Sequence, residues 1–318
     1  MKRTSALAAI GLLCTLAMVS CVTTPSSENP QTETATEQAA QTIEEVPAGN
    51  VLASEIPETQ GKVDPVLKER LEEYQVPVIL KETKTFADGI VDQITENTWS
   101  PDYTRILSSL TRKPSLPDPV GRASYTYKDG LLASRSSFGP DSALQNRSAF
   151  DYDAQGRLIR ETMVDGKGVI QSVSEWSWSE EGKTEWRVLD ATGRILARTA
   201  YHYENGRLSV LQMSDGAGNS TGRGEYQYNN EGQLVGIRYF NAAGTPQDRI
   251  EYALENGRPI QEKSFRADGR LERGLLYNYG PEGQILTITL TDASGRRRES
   301  TSFDYTFRTE TRTVFYYE

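Results

Sequence analysis

A short phrase recurs along most of this chain: two aromatic residues flank one polar residue, and a polar turn ending in glycine follows. The stretch Ala149–Ile159 shows the phrase in full. The pairs, with Ile250 in one aromatic slot, are Tyr125/Tyr127, Phe150/Tyr152, Trp176/Trp178, Tyr201/Tyr203, Tyr226/Tyr228, Ile250/Tyr252, Tyr277/Tyr279 and Phe303/Tyr305. Successive pairs are 24 to 27 residues apart. A fixed period of this size indicates a repeat architecture built from one small unit.

Each unit contains two glycine turns. The glycines that follow the aromatic pairs are Gly130, Gly156, Gly182, Gly206, Gly232, Gly257 and Gly283. A second turn, such as Asp190–Gly193, comes about twelve residues later. Asp or Asn at the first turn position accepts backbone hydrogen bonds, and glycine at the fourth adopts a left-handed conformation. We therefore predict hairpins closed by a type I turn and a glycine bulge, with the seven glycines as structural turn residues.

The segments between turns suit β-strands. They hold about eight residues rich in Tyr, Trp, Thr, Val, Ile and Leu, and aromatics two positions apart point to one side of a strand. The sequence predicts an all-β fold, a long antiparallel meander of roughly sixteen to eighteen strands. An open sheet rarely exceeds ~10 strands, so the meander is expected to coil or fold back. The sequence leaves open whether it closes into a ring.

The phrase resembles the YD repeats of RHS-type proteins, whose units read Tyr-Asp-x-x-Gly-Arg-Leu. Phe150–Leu158 is the nearest copy, and Tyr203–Leu208 and Tyr228–Leu234 are looser ones. The pattern is also similar to MORN-like repeats of antitoxin-type proteins. The resemblance covers Tyr125–Tyr305 and implies a β-hairpin repeat. Such repeats serve adhesion, carbohydrate contact and toxin encapsulation, so the resemblance names no single ligand.

Residues 1–21 are predicted to be a lipoprotein signal peptide. Lys2 and Arg3 precede an apolar run, and Met18–Cys21 forms a loose lipobox. Lipidation of Cys21 is the favoured reading, and an ordinary signal peptide is the alternative. The apolar run is shorter than the ~20 residues that span a bilayer. Because Val22 follows the cysteine instead of an acidic residue, we expect outer-membrane placement, on its periplasmic or surface side.

Residues 22–62 are predicted to be a disordered acidic tether rich in Ser, Thr, Gln, Glu and Pro. Up to residue 61 the segment holds seven glutamates and no Lys, Arg or aromatic residue. The chain carries a net charge of −9, with +2 in the signal peptide and −7 in the tether, which leaves −4 for the rest. This balance argues against nucleic acid and against a basic membrane-docking face.

The remaining chain divides at residue 121. Residues 63–121 are predicted to hold an N-terminal helix, Asp64–Tyr74, followed by irregular repeats, and residues 122–318 the regular repeats. The helix has a capping Asp64 and Pro65 in its first turn and is expected to cover the start of the array. The last segment, Thr301–Glu318, is expected to form one long strand or two. It leaves either an open edge for a partner or a strand paired within its own sheet.

Catalysis finds little support in the sequence. The single histidine, His202, occupies a slot that holds Thr, Asp, Ser, Gln, Glu and Asn in other units, which indicates a solvated position. No nucleophile elbow, phosphate loop or His/Cys metal spacing is present. Asp215–Gly222 offers oxygens for calcium but lacks the terminal glutamate of an EF-hand loop, so a hairpin turn is favoured. We predict a protein that is not an enzyme, with no cofactor and no metal.

Aromatic residues admit two readings, as core or as a binding surface. Core is favoured for most aromatic pairs, because a unit with few aliphatic residues needs rings for its buried area. The candidates for a binding surface are Trp176, Trp178, Trp186, Phe315, Tyr316 and Tyr317. An outer-membrane barrel is disfavoured because charges occur on both strand faces, as at Arg160 and Glu161.

The predicted function is a non-enzymatic binding or scaffold module anchored to the envelope membrane through a lipid on Cys21. Its expected partner is a protein or a glycan, and it is not expected to bind nucleic acid. An immunity or antitoxin-like protein binder is the first alternative. A glycan-acting enzyme is less favoured, because no group of residues in the sequence supports it.

Overall fold

The structure, a computed structural model, describes residues 67–317, and the side chains of residues 68–316. These residues form eighteen strands and no helix, which confirms the all-β prediction. The strands are β1 (Leu67–Phe86), β2 (Val91–Trp99), β3 (Ile106–Arg112), β4 (Gly121–Lys128), β5 (Leu131–Phe138), β6 (Leu144–Tyr152), β7 (Leu158–Asp165), β8 (Ile170–Trp178), β9 (Lys183–Leu189), β10 (Ile195–Glu204), β11 (Arg207–Asp215), β12 (Ser220–Tyr228), β13 (Leu234–Asn241), β14 (Pro246–Glu255), β15 (Arg258–Phe265), β16 (Leu271–Tyr279), β17 (Ile285–Asp292) and β18 (Arg297–Tyr317).

Each strand pairs antiparallel with the next one along the chain, from β1 to β18. β1 also pairs with β18, so the sheet closes into a barrel. The chain forms two compact units. One is Glu73–Glu310, which contains the closed sheet, and the described part of the other consists of residues 67–72 and 311–317. An open meander would leave unpaired backbone N–H and C=O groups on its two edge strands. Closure removes these edges, because every strand then has two neighbours.

Most turns follow the predicted chemistry. In the β6–β7 turn the Asp153 N–H donates to the Arg157 carbonyl (3.0 Å), and the Gly156 N–H donates to the Asp153 carbonyl (3.0 Å). Asp153 Oδ1 accepts the N–H groups of Gln155 (3.0 Å) and Arg157 (2.9 Å). This is a type I turn followed by a glycine bulge. The seven glycines named above have φ between +71° and +142°.

Three turns are tighter than predicted. Asp129-Gly130, Asn205-Gly206 and Asn256-Gly257 have positive φ at both residues, which is the two-residue type I′ hairpin. The predicted type I turn with a glycine bulge is wrong at these positions. The physical reason is the dipeptide itself, because Asp or Asn followed by Gly tolerates two consecutive left-handed residues.

Gly156→Val is expected to lower the free energy of unfolding by on the order of 1–2 kcal/mol. The φ of +77° at this position suits glycine, and a β-branched residue there is strained. The neighbouring substitution Gln155→Val, at a residue without positive φ, is the control. Denaturant melts of both variants measure the effect, and equal midpoints for Gly156→Val and wild type would contradict the turn geometry.

The predicted helix Asp64–Tyr74 is wrong over the part that the structure describes. Residues 67–74 lie in β1, whereas residues 64–66 lie outside the described residues. The Tyr74 hydroxyl donates to Glu310 Oε2 (2.6 Å), and Gln75 Nε2 donates to Thr309 Oγ1 (3.1 Å). A lone helix of about eleven residues is only marginally stable in water. The hydrogen bonds from Tyr74 and Gln75 to β18 stabilise the extended strand instead.

Of the two readings left for the C-terminal strand, the open edge is wrong. β18 is one continuous strand, and it pairs with β17 on one side and β1 on the other. Thr85 Oγ1 donates to the Ser300 carbonyl (3.2 Å), and Ser302 Oγ donates to the Thr83 carbonyl (3.5 Å). The segment therefore pairs inside its own sheet, which was the alternative reading. Within the segment predicted to hold irregular repeats, β3 ends at Arg112 and β4 begins at Gly121.

The sheet has two chemically different faces. The ring face carries the aromatic pairs, and the charged face carries the residues between them, of which Asp151, His202 and Asp304 are exposed. Eight side chains of the described residues are buried: Val78 in β1, Val173 on the charged face, and Ser109, Ala123, Ser148, Ile237, Glu262 and Phe303 on the ring face. The ring face is therefore the inner surface of the closed sheet.

Candidate functional site

A ladder of hydrogen bonds fixes the second aromatic residue of the units. Its hydroxyl or indole N–H donates to the backbone carbonyl of a residue on the preceding odd-numbered strand. The pairs are Trp99 to Ile79 (2.9 Å), Tyr127 to Ile106 (3.0 Å), Tyr152 to Leu132 (3.0 Å), Trp178 to Leu158 (2.8 Å), Tyr203 to Lys183 (3.1 Å), Tyr228 to Leu208 (2.9 Å), Tyr279 to Pro259 (2.8 Å) and Tyr305 to Ile285 (2.6 Å). These rings use their polar atoms within the wall, so the ladder is structural.

The arginine that follows the turn glycine in three units packs on the ladder ring of the next unit. The guanidinium carbons of Arg157, Arg207 and Arg258 lie 5.8, 5.9 and 5.9 Å from the ring centroids of Trp178, Tyr228 and Tyr279. Cation–π contacts of this kind contribute on the order of 0.5–1 kcal/mol at exposed sites. The repeated arginine therefore has a packing role. In the sequence, only the resemblance to YD repeats drew attention to this arginine.

Tyr228→Phe is expected to lower the free energy of unfolding by about 1 kcal/mol, because the Leu208 carbonyl loses its ring donor (2.9 Å). The matched control is Tyr103→Phe, which removes a hydroxyl from a turn residue that is 36% exposed. Urea melts of the two variants measure the difference. Equal melting of the two would show that the ladder bond adds nothing to stability.

The three predicted tryptophans come together on the ring face. Trp176 lies directly across from Trp186, and the Lys183 ammonium lies 5.9 Å from the Trp176 ring, 5.4 Å from the Trp178 ring and 5.6 Å from the Tyr201 ring. All three indoles are partly buried, and the Trp186 Nε1 is buried without a hydrogen-bond partner. They therefore contribute to the wall and do not form an exposed platform.

The C-terminal aromatics belong to the unit of residues 67–72 and 311–317. Phe315 is 62% exposed and Tyr316 is 38% exposed. The Arg70 guanidinium lies 5.6 Å from the Tyr316 ring. The side chain of Tyr317 and the predicted lipidation site Cys21 lie outside the described residues.

Sequence reasoning missed a buried carboxyl group on the ring face. Glu262 is 4% exposed, lies directly across from Tyr252, and accepts a long hydrogen bond from the Tyr277 hydroxyl (3.5 Å). Its Oε1 has no hydrogen-bond partner. Burial raises the pKa of Glu262, and burial together with this carboxylate raises the pKa of Tyr252 and Tyr277. The sequence signal that could have pointed to this carboxyl group is the aromatic slot at Tyr252. Glu262 lies directly across from Tyr252, so the two side chains share the ring face.

The remaining candidate residues occupy ordinary positions. His202 is exposed on the charged face. Both carboxylate oxygens of Asp215 are used in its turn, where Oδ1 accepts the N–H groups of Ala217 and Asn219 (2.9 Å each) and Oδ2 accepts Asn219 Nδ2 (2.9 Å). The described residues contain no group of three metal-ligating side chains. Between residues 67 and 317, no helix has the length and hydropathy to cross a membrane.

A small cavity of about 180 Å³ opens beside the β10–β11 turn. Its lining residues are Glu204, Asn205, Arg207, Ser209, Tyr226 and Tyr228. Ser209 is the extra residue of a bulge, because His202 pairs with Val210 and Tyr203 pairs with Leu208. The corresponding bulge residue on β15 is Ile260, so the small serine leaves more room here. The volume falls below the range of typical ligand pockets.

Comparisons with known proteins assign no family. No family model matches the chain, and no curated protein matches it. Two similar solved structures are porin-like proteins, one from Bacteroides uniformis and one from Bacteroides vulgatus. The first is 8% identical, with a TM-score of 0.39, over 72% of this chain and 98% of that one. The second is 8% identical, with a TM-score of 0.33, over 73% of this chain and 99% of that one. With TM-scores this low, the YD-type and MORN-like resemblances stay predictions.

Proposed function

We propose that this chain is a lipid-anchored, non-enzymatic binding module of the cell envelope. The observation that carries the proposal is the closed sheet with its internal ring ladder. The ladder uses the polar atoms of the rings within the wall, and β1 and β18 occupy each other's edges. Partner capture by strand addition is thereby disfavoured. The charged face and the two rims of turns are the surfaces left for contact.

The charged face supports an aqueous location for the barrel. Near the middle of the wall, Arg160 Nη1 lies 2.9 Å and Arg187 Nη2 lies 3.1 Å from the carboxylate oxygens of Glu175. Charges at mid-wall are costly against lipid, so the wall suits water. Attachment to the membrane is then assigned to a lipid on Cys21, through the predicted tether of residues 22–62.

Lipidation is tested by labelling cells with a fatty-acid analogue. Wild type is expected to carry the label and to fractionate with the outer membrane, and Cys21→Ala is expected to lose both properties. Cys14→Ala is the matched control, because it removes the only other cysteine and lies within the predicted signal peptide. Equal labelling of Cys21→Ala and wild type would reject the anchor.

The binding role is tested by cross-linking intact cells and capturing the tagged wild-type chain under denaturing conditions. A recurrent protein adduct that also forms with the purified chain supports a binding module. A cognate toxin as that adduct would identify the immunity-type alternative. Turnover of glycan substrates by the purified chain would overturn the non-enzymatic assignment.

A further inference from the structure

The most exposed apolar side chains of the closed sheet lie at one of its two rims. Because each strand runs antiparallel to the next, the turns that follow odd-numbered strands share one rim, and the other turns share the opposite rim. Within Glu73–Glu310, all of which the structure describes, the five most exposed large apolar residues are Phe86, Ile90, Leu116, Val169 and Leu196. All five lie in or beside turns that follow odd-numbered strands, and we call them the apolar rim.

The turn backbone does not require an apolar residue at these positions. Ile90 is the fifth residue of its turn, where its carbonyl accepts the Phe86 N–H (2.9 Å), and Val169 occupies the same place in the β7–β8 turn. Arg270 and Arg296 occupy this place in the β15–β16 and β17–β18 turns. The position therefore accepts a solvated arginine as readily as an apolar side chain. Ile90 is 63% exposed and Val169 is 55% exposed, so most of their apolar surface is not used within the fold.

Exposed arginines lie on the same rim, next to the apolar residues. The β17–β18 turn carries Arg296, Arg297 and Arg298 beside a single acidic residue, Asp292. Arg298 lies 3.7 Å from the Asp292 carboxylate, so the turn keeps a net positive charge after this pairing. Arg297 Nη2 donates to the Phe86 carbonyl (3.2 Å), which places this turn beside the β1–β2 turn. Apolar and basic side chains therefore meet where these two turns adjoin.

This arrangement suits a bilayer surface better than a flat protein surface. The members of the apolar rim stand on four separate turns, and exposed polar residues of the same turns, such as Asp88 and Lys167, interrupt them. Separate protruding side chains leave gaps against a flat protein, whereas lipid molecules move to fill the gaps. Binding to a membrane surface grows with the buried apolar area and with the attraction of basic residues to anionic lipids. The rim supplies both features.

We propose that the apolar rim enters the headgroup region of a bilayer containing anionic phospholipid, while Arg270 and Arg296 contact lipid phosphates. A guanidinium matches the geometry of phosphate oxygens. Only turn tips enter the interface, so the charged wall stays in water. The charge of the whole chain argues against a basic membrane-docking face, and here the apolar side chains supply the main contact. This second membrane attachment goes beyond the proposed function and does not depend on the lipid at Cys21.

The contact is tested on the full mature chain with Cys21→Ser, which carries no lipid and no other thiol. Co-flotation with vesicles of phosphatidylethanolamine and phosphatidylglycerol measures the bound fraction. Ile90→Ser with Val169→Ser is expected to lower this fraction several-fold. Leu107→Ser with Leu131→Ser is the matched control, at exposed apolar residues beside turns of the opposite rim, and is expected to leave it unchanged. Thermal melts confirm that both double variants fold.

Insertion of the turn tips is tested with an environment-sensitive fluorophore in the same Cys21→Ser background. A label at Val169→Cys is expected to shift its emission to shorter wavelength on vesicle binding and to be quenched by brominated lipid. A label at Gln155→Cys, at an exposed residue of the β6–β7 turn on the opposite rim, is expected to show neither change.

The rim arginines are tested by a second matched pair of double variants. Arg270→Gln with Arg296→Gln is expected to lower binding to the anionic vesicles several-fold and to leave the weaker binding to phosphatidylcholine vesicles unchanged. Arg105→Gln with Lys128→Gln removes the same charge from exposed positions of the opposite rim and is expected to have no effect. Added salt should reproduce the loss seen in the first pair, because it screens the attraction to lipid phosphates.

Three results would overturn the proposal. These are equal loss of binding in the two serine double variants, equal emission shifts from the two labels, and absence of vesicle binding by the Cys21→Ser chain. In the last case, self-association that Ile90→Ser with Val169→Ser abolishes would assign the rim to a second copy of the chain. Loss of labelling at Cys21 in cells would remove the lipid anchor and leave these tests unaffected.

Discussion

Gly216→Ala is expected to lower the free energy of unfolding by about 2–3 kcal/mol, one of the two largest effects predicted for a single substitution here. A Cβ at this position would overlap the backbone carbonyl oxygen of Ile195 and lie 3.4 Å from the Cα of Leu196. Both are backbone atoms, so no side-chain rotation relieves the overlap. The β11–β12 turn would have to move away from the start of β10.

Other turns provide the control for this prediction. Ala191 occupies the equivalent position of the β9–β10 turn, so the backbone conformation itself accepts a Cβ. Ala191→Gly is expected to change stability by less than about 1 kcal/mol. Gly166→Ala should reproduce the large loss, because its Cβ would overlap the Leu144 carbonyl oxygen. Denaturant melts of the three variants test the set, and a wild-type midpoint for Gly216→Ala would contradict the close turn packing.

Glu262→Gln is expected to raise the free energy of unfolding by about 1–3 kcal/mol at pH 8, because a neutral amide replaces a buried carboxyl group whose charged form is penalised by burial. Burial raises the pKa of Glu262, so the folded chain keeps this proton to higher pH than the unfolded chain. Its contribution to stability is complete below the unfolded value of about 4.3 and is lost as pH rises through the folded value.

The surroundings of Glu262 set the size of that effect. Tyr252 faces it from β14, and Tyr277 and Arg273 lie on β16. The positive charge of Arg273 lowers the pKa of Glu262 and opposes the larger effect of burial. Wild type should therefore lose stability with rising pH, and Glu262→Gln should reduce that loss. Burial also raises the pKa of Glu82, so this second carboxyl group keeps its own part of the pH dependence in the variant.

Glu161→Gln is the matched control, because Glu161 lies on the ring face of β7 and is only partly buried. It is expected to leave the pH dependence of stability in place. Melts from pH 4 to pH 9 compare the three proteins. Parallel profiles for Glu262→Gln and wild type would show that Glu262 does not carry the pH dependence.

The local parts of this fold could be predicted from the sequence. The period of the aromatic pairs and the Asp-x-x-Gly turns predict antiparallel hairpins, because both depend on residues within one unit. Gly216 and Ala191 mark the limit of such reasoning. Both occupy the same place in a turn, and only the approach of Ile195 from another turn distinguishes them.

Closure could not be predicted, because it depends on contacts between distant segments. Tyr74 and Glu310 are 236 positions apart, and no local pattern identifies them as neighbours. Over residues 67–74 the same contact favours a strand in place of the predicted helix. The placement of Arg187 directly across from Arg198 and the burial of Glu262 likewise follow from strand register, which the sequence alone leaves undetermined.

A ring of hairpins has no first or last unit, unlike an open solenoid, which frays from its ends. The pairing of β1 with β18 joins strands that are distant in sequence. The chain ends could therefore be moved to another hairpin. A circular permutant opened at Asn205-Gly206, with a linker across the present ends, should keep the same ring. Termini placed at exposed turns are commonly tolerated in this way. Which strands come first in synthesis then affects the order of folding more than the final structure.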